Sequence, residues 1–222
     1  MKKFLALVLT VIMVFTVLPV MSSAEETVIP ISECGGVIKS SETYSISTAE
    51  EFLQFEAMDV DCKGATIVLT NDITIHDGIF TVDENQKPLY NGGFVLPQSI
   101  KPMEFFTGTF DGQGHVIRNL EIKGVENTNK CTGLFGYVGT EGKITDLGLE
   151  QINVSGHVNT GAIAGVLVGS VTECYVTGYI DGGRYTGGIA GMLHAGTIEN
   201  CWVDASFLTT RFGGGLFGGT DY

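Results

Sequence analysis

The hydrophobic positions of this chain recur at a constant spacing between residues 117 and 203. When the sequence is aligned with itself at one fixed shift, four segments match without a gap, at 117–122, 144–149, 171–176 and 198–203. In every segment the first, fourth and sixth positions are aliphatic or cysteine, and polar residues dominate the positions between them. A repeat of this length is typical of stacked structural units, each of which is stable only when its neighbours complete the core.

Glycine-bearing elements separate the apolar segments along the same stretch. Gly-Leu-Phe-Gly or a close variant ends at Gly136, Gly165, Gly191 and Gly218. The intervening segments are too short for crossover helices, so each unit is expected to consist of strands and turns. The sequence therefore predicts an all-β fold, a parallel β-helix with about 27 residues per coil. The rule for parallel crossover connections predicts that it is right-handed.

The residues before the repeats have a different pattern. Ser47 and Glu50 have the spacing of a capping box, and Phe52 and Leu53 follow at helical positions. We predict a short helix over about 48–58 that covers the apolar end of the stack. Residues 65–75 are rich in β-branched side chains and predict a strand. Residues 76–105 contain several prolines and a glycine pair, which favours a long loop with a strand or two.

The first residues have the layout of a targeting segment. Lys2 and Lys3 precede an apolar run, and Ser-Ser-Ala ends at Ala24. This predicts a secretory signal peptide over 1–24, with a retained membrane anchor as the alternative. The predicted organisation is then an irregular segment at 25–45, a cap with first strands and loop at 46–110, and repeats at 111–222.

Charge and cysteine content narrow the classes of partner. The net charge of −13 argues against binding to nucleic acid or to an anionic lipid surface. Of the five cysteines, Cys174 and Cys201 occupy the same inward column one repeat apart. Side chains that point in parallel leave the Cβ atoms slightly too far apart for a disulfide, so two free thiols are expected. No Cys-x-x-Cys pair is present, so a zinc knuckle is not expected.

Two columns are predicted to point outward, because strand residues alternate between faces. The column 119, 146, 173, 200 reads Asn, Asp, Glu, Asn, which places Asp146 beside Glu173. This pair could hold a hard cation such as Ca²⁺, act as an acid/base pair, or simply be a solvated turn ladder. No other cofactor is indicated by the sequence.

The second outward column, 121, 148, 175, 202, reads Glu, Gly, Tyr, Trp. It predicts that Tyr175 and Trp202 lie side by side as a flat apolar platform for a sugar ring or a protein partner. The alternative is that a loop covers the two rings, or that they only shield the sheet. Catalytic motifs such as a phosphate loop, His-Glu-x-x-His or Gly-x-Ser-x-Gly do not occur.

Residues 106–122 resemble the opening signature of bacterial GLUG-motif proteins. The later Gly-Leu-Phe-Gly and Gly-Gly-Ile-Ala-Gly elements, and the Thr-Ile-Glu-Asn-Cys-Trp-Val segment that ends at Val203, are similar to GLUG repeats. The resemblance covers roughly residues 44–222. It implies a β-helix in an extracellular or surface-anchored bacterial protein, a group that includes large adhesins and regions accompanying proteases, and it supplies no catalytic residues.

These observations favour a secreted or cell-surface, non-catalytic binding or adhesion module whose partner is a glycan or a host or cell-surface protein. One alternative is a polysaccharide-acting β-helix enzyme. Another is a fragment of a larger surface adhesin or protease-associated protein. Because residues 204–222 carry no recognisable cap, self-association through this part of the chain is also expected.

Overall fold

The computed structural model describes residues 27–75, 80–82, 88–90, 100, 102–124 and 131–220. The predicted signal peptide lies outside the described residues. Those residues are mostly strands in parallel sheets, with one α-helix near the start. No described helix is long and apolar enough to cross a membrane.

The helix α1 spans Ala49–Met58, and a short 3-10 turn spans Ile31–Glu33. The strands are, in chain order, β1 (Val28–Pro30), β2 (Thr43–Ile46), β3 (Thr66–Leu69), β4 (Ile73–Thr74), β5 (Phe80–Val82), β6 (Pro88–Tyr90), β7 (Thr109–Asp111), β8 (Val116–Arg118), β9 (Glu121–Lys123), β10 (Phe135–Val138), β11 (Lys143–Thr145), β12 (Gly148–Ser155), β13 (Asn159–Thr160), β14 (Ala164–Leu167), β15 (Ser170–Thr172), β16 (Tyr175–Gly182), β17 (Tyr185–Gly187), β18 (Ala190–Leu193), β19 (Thr197–Glu199), β20 (Trp202–Thr209), β21 (Phe212–Gly214) and β22 (Phe217–Thr220).

Four parallel sheets are formed by strands that recur once per repeat. The first sheet has the order β1-β2-β3-β7-β11-β15-β19, and the second has the order β20-β16-β12-β8-β4, with β9 also paired to β12. The third sheet is β13-β17-β21, and the fourth is β10-β14-β18-β22. From β11 onward the chain visits the first, second, third and fourth sheets in turn and then returns to the first. The strands β5 and β6 form a separate antiparallel pair.

The strand register explains the apolar columns of the sequence. In the first sheet Ile144 pairs with Val171, which in turn pairs with Ile198, and in the second sheet Leu149 pairs with Val176. Ile144, Val171, Leu149 and Val176 are fully buried. The predicted fixed shift is therefore confirmed for these apolar columns from Ile144 onward. Each inward side chain packs against the equivalent side chain of the next repeat, because neighbouring strands lie about 4.8 Å apart.

The first aligned segment has a different neighbour from the one that the fixed shift predicts. Ile117 pairs with Leu149, and the residue that pairs with Ile144 is Phe110. The fixed shift aligns residues 117–122 with the later segments because their apolar positions have the same spacing. In the structure, however, the first repeat is longer than the later ones, so its strand partners differ. Asn119 and Glu121, which strand alternation predicts on the outer face, are both buried, and the Glu121 carboxylate accepts a hydrogen bond from the Asn153 amide.

The first strands begin earlier than the composition suggests. Residues 25–45 are predicted to be irregular, but β1 lies in this segment and β2 begins in it, and both join the first sheet. The predicted strand at 65–75 is divided into β3 and β4, which belong to different sheets. Polar residues are tolerated here because only alternate side chains, such as Tyr44 and Ile46, enter the core.

The helix α1 forms close to where it is predicted, but its cap is one residue later. The Thr48 side chain accepts a hydrogen bond from the Glu51 N–H at 3.2 Å, and the Glu51 carboxylate accepts one from the Ser47 N–H at 2.8 Å. The first of these bonds satisfies an N–H group that the first turn leaves free, and the second ties the helix to the residue before its cap. Phe52 and Phe55 are fully buried and belong to the same hydrophobic core as the strands.

Glu56 is the exception on the buried face of α1. The residue is only 7% exposed, and neither oxygen of its carboxyl group has a hydrogen-bond partner. Burial raises the pKa of Glu56 well above its ordinary value, and the nearby negative charge of Asp59 raises it further. The carboxyl group is therefore protonated in the folded protein at pH values where it is ionised in the unfolded chain.

We expect the stability of the protein to fall as the pH rises because of Glu56. Glu56 contributes fully to the free energy of unfolding below the pKa that a glutamate has in the unfolded chain, about 4.3. This contribution is lost as the pH rises through the higher pKa of Glu56 in the folded protein. The variant Glu56→Gln should therefore melt close to wild type in acid and clearly higher at neutral pH. Thermal unfolding across this pH range measures the difference. Glu50→Gln, on the exposed side of the same helix, should not change the pH dependence, and equal profiles for Glu56→Gln and wild type would contradict the assignment.

Candidate binding face on the second sheet

Tyr175 and Trp202 stack on the outer surface of the second sheet. They are register partners at the first positions of β16 and β20. Their ring centroids are 4.6 Å apart, and the ring planes differ by 4°. Trp202 is 52% exposed, whereas Tyr175 is half-buried. The two rings are therefore adjacent, as their common position in the repeat predicts. No described loop covers the Trp202 ring.

The residue beneath this aromatic stack is Gly148, the register partner of Tyr175 in β12. A Cβ atom at Gly148 would lie 2.6 Å from Cζ of Tyr175, which is too close for a real contact. The tyrosine ring therefore lies flat over the glycine backbone. The next residue in this column is Val116 of β8, not Glu121 as the fixed shift predicts. The absence of a side chain at 148 is what allows the ring to reach across the sheet.

A chain of polar contacts extends from the stack across the neighbouring strands. The Tyr175 hydroxyl donates to Oε1 of Glu150 at 2.7 Å, and Nε of Arg118 donates to Oε2 of the same carboxylate at 2.7 Å. The Arg118 guanidinium also donates to Oδ2 of Asp72 at 2.9 Å, and Nδ1 of His115 lies 3.1 Å from Oδ1 of Asp72. We call Asp72, His115, Arg118 and Glu150 the polar ladder.

The polar ladder keeps its carboxylates ionised. The hydrogen bond from Tyr175, with that from Arg118, lowers the pKa of Glu150. Hydrogen bonds from Arg118 and His115 likewise lower the pKa of Asp72. Burial, together with the Glu150 contact, raises the pKa of Tyr175 to about 12, so its hydroxyl remains a donor at neutral pH. The face therefore combines an apolar ring surface with charged acceptors and a guanidinium donor.

The candidate cation pair Asp146 and Glu173 lies elsewhere, at the corners between the first and second sheets. Both residues have left-handed backbone conformations, with φ of 51° and 55°. The Asp146 carboxylate accepts from the Thr145 hydroxyl, and the Glu173 carboxylate accepts from the Asn200 amide, each at 2.8 Å. Within the described ranges, no three His, Cys, Asp or Glu side chains are grouped so that they could hold a metal ion. The calcium site stays a prediction.

Sequence reasoning missed two further aromatic stacks and the whole polar ladder. Tyr185 stacks on Phe212 with centroids 5.2 Å apart, and Phe105 stacks on Tyr137 at 5.1 Å. The first pair is related by the same fixed shift as Tyr175 and Trp202, so the repeat itself could have revealed it. The second pair spans the longer first repeat, as do Arg118 and Glu150, and is visible only when the true register of that repeat is known.

The chain is similar in sequence to one known surface protein and in fold to one solved bacterial structure. No protein-family model matches the chain. Halomucin from Haloquadratum walsbyi is 32% identical over 144 residues, which is 62% of this chain but only 2% of Halomucin. The crystal structure of a "putative immunoglobulin A1 protease" from Bacteroides ovatus is similar with a TM-score of 0.53 and 20% identity, and the match covers 82% of this chain and 63% of that one. At this identity the likeness concerns the fold alone.

Trp202 is the only tryptophan in the chain, so its spectra report directly on the aromatic stack. We expect Gly148→Ala to displace the Tyr175 ring, because the new methyl group would occupy the position of the ring. Near-ultraviolet circular dichroism from the stacked rings should decrease, and the Trp202 emission should shift. Gly215→Ala is the matched control, since a Cβ there meets nothing within 4 Å. Unchanged spectra for Gly148→Ala would show that the stack does not depend on this glycine.

Proposed function

We propose that this chain is a secreted or cell-surface, non-catalytic binding module that binds carbohydrate on the aromatic stack of Tyr175 and Trp202. The observation that carries the proposal is a stack of two parallel rings, in which the Trp202 ring is exposed and the Tyr175 hydroxyl is hydrogen-bonded to a charged polar ladder. A sugar ring has an apolar face that can lie on an aromatic surface and hydroxyl groups that need polar partners. Binding sites commonly combine such apolar surfaces with a few well-placed polar groups.

The polar ladder supplies both kinds of hydrogen-bond partner. Glu150 and Asp72 offer carboxylate oxygens, and the guanidinium of Arg118 has five N–H donors, of which the described contacts use only some. A hydroxyl group can donate to the carboxylates and accept from the guanidinium. The acidic balance of the chain favours neutral glycans over anionic ones, because like charges repel.

The charge state of the same residues supports binding over hydrolysis. A glycosidase needs one carboxylic acid whose pKa is raised, so that it can protonate the leaving group. Glu150 and Asp72 both have lowered pKa values. The polysaccharide-acting enzyme is therefore the less favoured alternative at this face.

We also propose that the four parallel sheets wind into a right-handed β-helix built from GLUG-type repeats. The regular visit to each sheet once per repeat and the constant register of β11, β15 and β19 support the winding. The rule for parallel crossovers supports the handedness. The glycine-bearing motifs support the repeat type. The predicted signal peptide supports an extracellular site. The match to a small part of Halomucin supports a role as one module of a larger surface protein.

A glycan screen followed by titration of Trp202 fluorescence tests the binding proposal. We expect a neutral glycan to bind the wild-type protein and Trp202→Ala to lower the affinity about 30-fold, because an aromatic anchor contributes about 2 kcal/mol. Calorimetry measures the variant, which lacks the fluorophore. Phe212→Ala is the matched control, because Phe212 is 51% exposed and stacks on Tyr185 instead of on Tyr175 or Trp202. Equal affinity of Trp202→Ala and wild type, or binding only to proteins, would overturn the carbohydrate assignment.

A second copy of the chain is the partner that we propose for the strands β19–β22. Among the described strands, each of these four pairs on one side only. Among the described residues, five exposed large apolar side chains besides Trp202 lie at 207–217, including Phe207, Leu208 and Phe217. Unpaired strand edges with apolar side chains are templates for pairing with another chain.

Analytical ultracentrifugation tests this self-association. We expect concentration-dependent dimers for the wild-type protein and monomers for Leu208→Lys, because a charge on an edge strand opposes edge-to-edge pairing. Leu208 is 54% exposed, so the substitution should not disturb the core. A wild-type chain that remains monomeric at high concentration would contradict the proposal.

A further inference from the structure

The two cysteines of the inward column form a pair with unusual surroundings. Cys174 follows β15 and precedes β16, and Cys201 occupies the same place between β19 and β20. The Cys174 backbone N–H donates to Sγ of Cys201 at 3.4 Å. Cys174 is 1% exposed, whereas Cys201 is only partly buried. Both thiols are reduced in the structure, and solvent reaches the pair only through Cys201.

We propose that Cys174 and Cys201 are a reactive thiol pair that a small-molecule disulfide converts into a disulfide bond between successive repeats. The geometry supports the bond. Tyr175 and Trp202, which directly follow the two cysteines, are register partners, and the Cα atoms of such partners lie about 4.8 Å apart, within the range that a disulfide accepts. Parallel side chains within two strands would leave the Cβ atoms slightly too far apart, but these residues lie at corners outside the strands.

The local backbone can make the small adjustment that the bond requires. The residues before the cysteines, Glu173 and Asn200, have left-handed conformations that turn the chain at each corner. The Cys174 N–H bonds to sulfur and not to a backbone carbonyl.

The two thiols have different chemical roles. The hydrogen bond between them lowers the pKa of Cys201 and raises that of Cys174. The thiolate of Cys201 attacks one sulfur of the small-molecule disulfide, forms a mixed disulfide and releases one thiolate. Cys174 then gives its proton to solvent, and its sulfur attacks Sγ of Cys201 and expels the second thiolate. Two protein thiols are oxidised, and one small disulfide is reduced to two thiols.

The bond would join the backbone directly beneath the aromatic stack. Tyr175 and Trp202 immediately follow the two cysteines, and their side chains lie on the opposite face of the second sheet. The cross-link closes the segment from Cys174 to Cys201 and holds the two repeats at one separation. Such a link removes conformational freedom from the unfolded chain and so stabilises the folded one.

Peptide mapping after treatment with oxidised glutathione tests the proposal. The purified protein is incubated at neutral pH, free thiols are blocked with a maleimide, and the digest is analysed by mass spectrometry. We expect a peptide that links Cys174 to Cys201, with the protein two hydrogens lighter. The melting temperature should rise by about 5 to 10 °C relative to the reduced form.

Three single variants separate the roles of the thiols. Cys174→Ser should accumulate the glutathione adduct at Cys201, because no thiol is present to resolve it. Cys201→Ser should leave Cys174 unmodified, because Cys174 is buried. Cys131→Ser is the matched control and should form the link as wild type does. Cys62, whose pKa burial raises to about 12, should not react in the folded protein.

Two results would overturn the inference. One is a stable glutathione adduct at Cys201 of the wild-type protein with no link to Cys174. The other is a link that joins Cys34 or Cys131 to either member of the pair. Should a serine variant fail to fold, the map of the wild-type protein alone distinguishes these results from the expected one.

Discussion

Each repeat of this chain stacks on the next with parallel strands at a single fixed spacing, and the other features of the structure depend on this constraint. Hydrogen bonds between parallel strands hold equivalent residues about 4.8 Å apart. Any residue type that recurs at the same position therefore meets itself in the next repeat. Ile144 and Val171 meet inside the core, and Tyr175 and Trp202 meet outside it.

The same stacking makes the candidate site a property of several repeats. Tyr175 needs the bare backbone of Gly148 beneath it, and its hydroxyl needs Glu150 from the preceding repeat. Glu150 is in turn held by Arg118, one strand further on. A single repeat contains neither the stack nor the polar ladder. This is why the binding proposal concerns a face assembled across strands, and why a change at Gly148 is expected to alter a ring in the next repeat.

The inward and outward sides of the second sheet are linked through adjacent residues. Cys174 lies in the core and Cys201 packs against it, whereas the rings of Tyr175 and Trp202, which follow them, stack on the outer surface. Oxidation of the inner pair would set the separation of the two backbones that carry the outer rings. The two proposals stand on different observations, since the thiol chemistry does not require a bound sugar and the sugar site does not require a disulfide.

The sequence by itself determined the features that follow from a constant shift between repeats. The shift predicted the inward columns from Ile144 onward, the contact of Tyr175 with Trp202 and the neighbouring thiols, because local alternation and strand spacing are enough to derive them. The helix was also predictable from local signals, although the capping residue proved to be Thr48. Only the tertiary structure decided the register of the longer first repeat, which pairs Glu121 with Asn153 and Ile117 with Leu149. The polar ladder follows from that register, and sequence alone could not place it because loop length does not reveal which strands become neighbours.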